Sequence, residues 1–426
     1  MNVLFFSRSA MNEASSFGNT VMNLFSGWTE DNFYHFYIRK QTPRNSIVKE
    51  YFNLSSTDTV KALLKGRSGG RRFTASEAGA LRTSWGREET TEKSIIASTR
   101  DRKRSLIYFL EETFWATKLW QNGRFKGFIR DADPDVFFAF ATNSYVLCPL
   151  IKYIKNHTRA KIVLFIADDM LSTYGKRGWI RRQSLTRKLK WCIASADKLY
   201  GISEKMCARY SDLFGKPVEF LCKGCDCSLP VRESTGYPMK FVYAGNVLYG
   251  RDKTLETLTS ALKELNAERP TAELDIYTNT TLRPETLEKL RIPGTSRVHD
   301  GIPYEELLQV ENHADVLLHV ESFDPIISEK IRYSFSTKIT DCLQSGTAVA
   351  AIGPDGIASI EYLKEISGVT VITDLASLTD TLAGLTSDIG LLNERKRIVR
   401  SWSETHLSGT EMKAKLRKEL EELISR

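Results

Sequence analysis

At 426 residues the chain is too long for one ordinary core, and two domains are expected. Its 42% hydrophobic and 26% charged residues are ordinary for a globular protein, and no run approaches the roughly 20 apolar residues of a membrane-spanning helix. A formal net charge of +8 favours an anionic partner (phosphates, nucleic acid or a lipid headgroup surface), and seven Cys without a regular framework argue for a reducing compartment.

The N-terminus, MNVLFFSRSAMNEASS, has only a short apolar core and reads as a buried strand, not a signal peptide. From VLFF (3–6) onward, strand-like and helix-like patterns alternate: NTVMNLFSGW, YHFYI (34–38), DVFFAF (135–140), YVLCPLIKYIK, KIVLFIA (161–167), RRQSLTRKLKWCIASA and KLYGI (198–202). Short apolar β-runs feeding helices imply parallel strands with crossovers, covered on both sheet faces. Residues 65–104 are polar, rich in Gly and Arg and poor in aliphatics, so a mobile insertion is expected there. SLPVRESTGYPMK (228–240) interrupts the alternation and reads as the interdomain linker, placing domains at 1–232 and 240–390. A second alternation follows, with FVYAGN, KTLETLTSALKEL, ELDIYT, VHDGI, DVLLHV, AVAAIG and VTVIT, and a helical tail over 391–426 that is expected to pack back on the first domain.

Several stretches carry candidate chemistry. Asp168 and Asp169 follow KIVLFIA, where they read as a helix N-cap or a solvated loop pair, or, since two adjacent carboxylates can raise one pKa, as a pair holding a general base. YGKRGWIRRQSLTRKLKW interleaves Lys176, Arg177, Arg181, Arg182, Arg187, Lys188 and Lys190 with Trp179 and Trp191. That mixture suits a crossover helix, an anionic membrane surface or a lipid-phosphate acceptor. CKGCDC (222–227) lacks a second CxxC or an HxxxH, so thiols beside a buried strand are preferred over a zinc site. In GNVLYGRDK, Gly245 and Asn246 stand at a strand end, followed by Arg251 and Lys253, two cations able to neutralise a diphosphate. In SFSTKITDCLQSGTAVAAIG (334–353), Ser336 or Thr337 can cap a helix whose Lys338 and Asp341 lie three residues, about 4.5 Å, apart along the axis. A phosphate there would meet N–H groups, a hydroxyl and an ammonium, and an adjacent sugar would meet Asp341. Gly346 ends that helix.

GNVLYGRDKTLETL, ADVLLHVES and FSTKITDCLQSGTAVAAIG, at this spacing, resemble the donor half of glycosyltransferase family 4. VLFFSRSAMNEASSFGNTVMNLF is similar to that family's first strand and Gly-containing loop, and ISEKMCARYSDLFGKPVEFLCKGCD to its S-E…P-NGVD stretch. The resemblance implies a GT-B fold, two Rossmann-like doubly wound α/β domains facing across a cleft. It also implies sugar transfer from a nucleotide-diphosphate donor, with retained anomeric configuration and no divalent metal or other cofactor. Arg251 and Lys253 would contact the diphosphate, Ser336, Thr337 and Lys338 would form the phosphate-binding helix start, and Asp341 would take the place of the ribose-holding Glu. Tyr333 stands where the first Glu of E-x7-E is due. Glu321 and Glu329 share that spacing without the following small-residue pattern; Glu329 or Asp324 is left to reach the sugar from the loop. Ser16 and Gly18 fall in the acceptor-side loop, and Asp168 and Asp169 near the acceptor or transferred sugar.

The expected enzyme is cytoplasmic, with a possible peripheral contact at the inner face of the plasma membrane, and it glycosylates a glycan or a lipid-linked or surface-polysaccharide acceptor. A sugar-nucleotide epimerase and a non-catalytic scaffold share the fold and stand as alternatives. Nucleic acid is not an expected partner, because no RNP-type, zinc-finger or helix-turn-helix signature accompanies the charge.

Overall fold

The structure, a computed structural model, describes residues 1–13, 15–55, 58, 69–81, 110–174 and 178–426. They form two compact units: Met1–Cys222 with Lys413–Arg426, and Lys223–Met412.

Among the described residues of the first unit eight strands are ordered β4-β3-β2-β1-β5-β6-β7-β8. They are β1 Asn2–Ser7, β2 Asn32–Tyr37, β3 Val48–Asn53, β4 Arg71–Thr74, β5 Val136–Phe140, β6 Lys161–Ile166, β7 Lys198–Gly201 and β8 Glu219–Phe220. Every pairing is parallel except β3 with β4. β5 is buried along its whole length, as a parallel strand covered on both faces must be. Phe5 meets Phe25 edge-on at 4.9 Å, so aromatic packing fixes the helix Ser16–Phe25 on the sheet. The final helix, Gly409–Ser425, returns residues 413–426 to this unit: Leu416 and Leu420 are buried, Lys198 pairs with Glu419 at 3.3 Å, and Lys413 donates to Ser26 at 2.9 Å.

Part of the expected mobile insertion is ordered structure. Arg71–Thr74 pairs with β3, Phe73 stacks on Tyr51 at 5.2 Å, and Arg72 binds Glu50 and Asp131. Its few large side chains were enough because they meet partners far away in sequence. Residues 65–68 and 82–104 lie outside the described residues.

The second unit holds β9 Met239–Ala244, β10 Ala272–Thr278, β11 Ser296–Asp300, β12 Val316–Val320, β13 Ala348–Ile352 and β14 Thr370–Ile372. Their order is β11-β10-β9-β12-β13-β14, and all pairings are parallel. Residues 228–240, expected as the linker, belong to this unit, and the boundary falls at Cys222 and Lys223. Side chains capture the carbonyls that this Pro- and Gly-interrupted stretch cannot give to a sheet. Arg400 donates to the Leu229 carbonyl, Asn312 to that of Pro230 at 2.8 Å and Lys396 to that of Arg232 at 3.0 Å, while Tyr237 of the stretch itself donates to the Thr386 carbonyl at 2.7 Å. No helix among the described residues is long and apolar enough to cross a membrane.

Candidate functional site

Strand order in the second unit reverses between β9 and β12. In open α/β sheets, ligands bind beyond the carboxyl ends of strands at such a reversal. There Gly245 and Asn246 follow β9, and Glu321 and Ser322 follow β12. Gly250 caps the helix Arg251–Leu265 with φ +75°, and a Cβ on it would lie 2.2 Å from Ser322 Oγ. Only glycine lets the two loops approach this closely.

Arg251 spans the reversal. Its Nε donates to the Val320 carbonyl at 3.0 Å, one terminal nitrogen to Asn246 Oδ1 at 3.0 Å, and the other to Glu321 Oε2 at 2.8 Å. Burial raises the Glu321 carboxyl, and Arg251 offsets part of that. His319, whose Nε2 lies 3.5 Å from Glu321 Oε1, is pushed down to about 3 by burial and then by Arg251, so it is neutral. Lys253, expected beside Arg251 on the diphosphate, pairs with Glu256 at 3.0 Å with its side chain 64% exposed.

The short helix Lys338–Gln344 has Thr337 as its cap residue without a side-chain capping bond; Ser336 Oγ accepts from the Lys338 N–H at 3.4 Å. The Lys338 ammonium makes no ion pair among the described residues. Asp341 is 6% exposed, and its Oδ1 accepts from Lys223 Nζ and from the Tyr304 hydroxyl at 3.1 Å. Burial opposes the Lys223 charge, but Asp341 and Tyr304 together raise that ammonium. Nearby Glu311 is pushed up to about 8 by burial and then by the charge of Asp341, and its Oε2 has no hydrogen-bond partner among the described residues. Gly346 follows the helix with φ +75°, against Arg400 and Pro230. Asp324 caps the helix Pro325–Ile331, and Glu329 points outward to Arg332 at 3.5 Å. Glu321 and Glu329 therefore do not converge as a pair.

Sequence reasoning missed Lys223, Tyr304, Glu311 and the grip of Asn246 and Glu321 on Arg251. Lys223 did stand in the quoted KGCD stretch. Its neighbour Gly224 shows why a glycine follows: a Cβ there would lie 2.5 Å from the Cα of Gly409. Among the described residues, no three His, Cys, Asp or Glu side chains are grouped to hold a metal ion.

In the first unit the reversal lies between β1 and β5. The helix begins at Ser16, and its cap is Ser15, whose Oγ accepts from the Gly18 N–H at 3.1 Å. A Cβ on Gly18 would lie 2.0 Å from the Asn12 carbonyl oxygen, so glycine seats this loop. Behind it, Ser7 Oγ and His35 Nε2 are 2.8 Å apart, and burial pushes His35 down to about 3. Asp168 and Asp169 follow β6, one strand beyond the reversal. Asp168 is exposed, whereas Asp169 is buried and holds the chain locally, accepting from Leu171 N–H at 3.1 Å and the Tyr210 hydroxyl at 3.0 Å.

The basic stretch forms the helix Trp179–Ser195; Lys176 and Arg177 lie outside the described residues. With the helix Glu204–Phe214 it bounds a groove of about 470 Å³. Arg182, Lys190 and Arg209 line it beside Leu213 and Phe214, and Trp179 at its edge is 74% exposed.

No family model matches the sequence, and no characterised protein matches it in sequence. Solved structures do match its fold. Sucrose-phosphate synthase from Thermosynechococcus elongatus aligns with a TM-score of 0.60 at 10% identity, over 99% of each chain. An E. coli structure described as trehalose-6-phosphate bound with UDP-2-fluoro glucose gives 0.60 at 11% identity, over 98% of each chain. WaaG, a glycosyltransferase involved in lipopolysaccharide biosynthesis, gives 0.54 at 13% identity, over 95% of each chain. The chain therefore has the two-unit parallel α/β architecture of GT-B proteins.

Proposed function

We propose that this protein is a glycosyltransferase that takes its sugar from a nucleotide-diphosphate donor bound in the second unit, as in family 4. The observation that carries the reading is Arg251, held by three partners at the point where strand order reverses. A guanidinium fixed in this way is ready to meet a diphosphate without reorganising. Lys338 supplies a second cation, and Asp341 an acceptor for the ribose. Charge developing on the leaving diphosphate is met by these groups, so no divalent metal is required. Its oxygen can take the acceptor proton, which suits retention of configuration. The E. coli neighbour's UDP-2-fluoro glucose supports trying UDP sugars first.

Arg251→Ala and Lys338→Ala are each expected to lower turnover by about 10²-fold, the scale of a lost transition-state charge contact. Thermal shift with UDP, GDP, ADP and CDP sugars identifies the donor, since a ligand bound only by the folded chain raises its melting temperature. Near-normal rates from both variants would overturn the reading.

The acceptor is a glycan or a lipid-linked saccharide, and the groove on the first unit supports the lipid-linked form. Its cations suit phosphates, and Trp179 and Ile180 suit an acyl interface at an anionic membrane surface. Flotation is expected with anionic vesicles and not with zwitterionic ones; Trp179→Ala with Ile180→Ala should weaken it, and equal flotation with both lipids excludes a charge-directed membrane contact.

A further inference from the structure

We infer that Lys223 is a positioning residue: with Tyr304 it locks the Asp341 carboxylate so that only Oδ2 is offered to the ribose hydroxyls of the donor. The inference rests on the nucleotide-sugar reading and extends it to Lys223 and Tyr304, to which the sequence analysis gave no role. Three separate segments meet at this carboxylate: the chain entering the second unit at Lys223, the helix Tyr304–Asn312 and the helix Lys338–Gln344. Oδ1 accepts from both Lys223 Nζ and the Tyr304 hydroxyl, while Oδ2 takes no hydrogen bond among the described residues. The Tyr304 oxygen is fully used, donating to Asp341 and accepting from Lys223 at 3.1 Å and from Gln344 at 3.3 Å. Gln344 is fixed in turn, its Oε1 accepting the Asp226 N–H at 3.0 Å. The carboxylate cannot rotate without breaking both Oδ1 contacts. That rigidity suits an Asp, whose arm is one methylene shorter than that of Glu.

The test is calorimetric binding of UDP, 2′-deoxy-UDP and 3′-deoxy-UDP to the full chain and to Lys223→Met, Lys223→Arg and Tyr304→Phe. If another nucleoside diphosphate binds in place of UDP, its deoxy analogues are used. The wild-type chain is expected to prefer the intact ribose by about tenfold, the worth of a hydrogen bond to a charged group. Lys223→Met should erase that preference while affinity for the deoxy analogues stays within about threefold. Lys223→Arg should restore most of it, and Tyr304→Phe should reduce it by about threefold. If Lys223→Met does not fold, Tyr304→Phe and Lys223→Arg carry the test. Equal losses of intact and deoxy nucleotide would make Lys223 merely structural and overturn the inference, as would a wild-type chain indifferent to the ribose hydroxyls. Failure of UDP, GDP, ADP and CDP alike to bind would instead overturn the nucleotide-sugar reading itself.

Discussion

Arg251 and Lys253 stand two residues apart on one helix and end in different environments. Arg251 is fixed by two side chains and a carbonyl, whereas Lys253 shares Glu256 with Lys289 at the surface. Exposed pairs of this kind contribute little, so Lys253→Ala is expected to change turnover by only about two- to fivefold. Comparing its steady-state rate with that of Arg251→Ala tests the proposal that Arg251, and not Lys253, meets the diphosphate. Glu311 makes a second residue-scale prediction. Its folded value of about 8 lies above the ordinary 4.5, so the folded chain keeps a proton that the unfolded chain releases between those values. This contribution to stability is fully present below about pH 4.5 and is lost as pH rises through about 8. Glu311→Gln stays neutral throughout, so its melting temperature should fall less steeply than wild type between pH 6 and 9. Parallel melting curves across that range would exclude the effect.

At the scale of elements, the turn Val247–Gly250 decides whether the loop after β9 can lie against the loop after β12. Tyr249 and Gly250 both have positive φ, +59° and +75°, and Ser322 leaves no room for a side chain at 250. Gly250→Ala is expected to cost about 1–3 kcal/mol and to displace Arg251. Denaturant melts and the KM of the proposed donor should therefore worsen together; an unchanged KM would show that the turn does not position the proposed site. The sequence made this element legible, because Gly and a cationic helix start are local signals. It did not disclose that Glu321 would hold the arginine, since that contact joins residues 70 apart in the chain. The same limit applies to β3 and β4. Their alternation is irregular, and β4 is an edge strand whose partners are supplied by β3 and Asp131.

At the scale of the whole molecule, the last helix is what makes the first unit discontinuous in sequence. Removing residues 413–426 would strip Leu416 and Leu420 from that unit together with the Glu419 contacts to Lys198 and Tyr200. Burying two leucines is worth roughly 3–6 kcal/mol, comparable with the net stability of a domain. The truncated chain is expected to melt at least about 5 °C lower by calorimetry. A melting temperature within about 1 °C of the full chain would show that the segment adds no stability.

Local pattern by itself determined the alternation of buried strands and helices, the parallel sheets, and the glycine and cationic positions at two helix starts. These follow from periodicity and backbone freedom, which neighbouring residues settle among themselves. Only the tertiary structure decided where the units divide, that residues 228–240 are fastened to side chains of the second unit, and that Lys223 closes on Asp341 118 positions away. Those outcomes depend on which distant charges and carbonyls meet once water is excluded, and no local spacing encodes that.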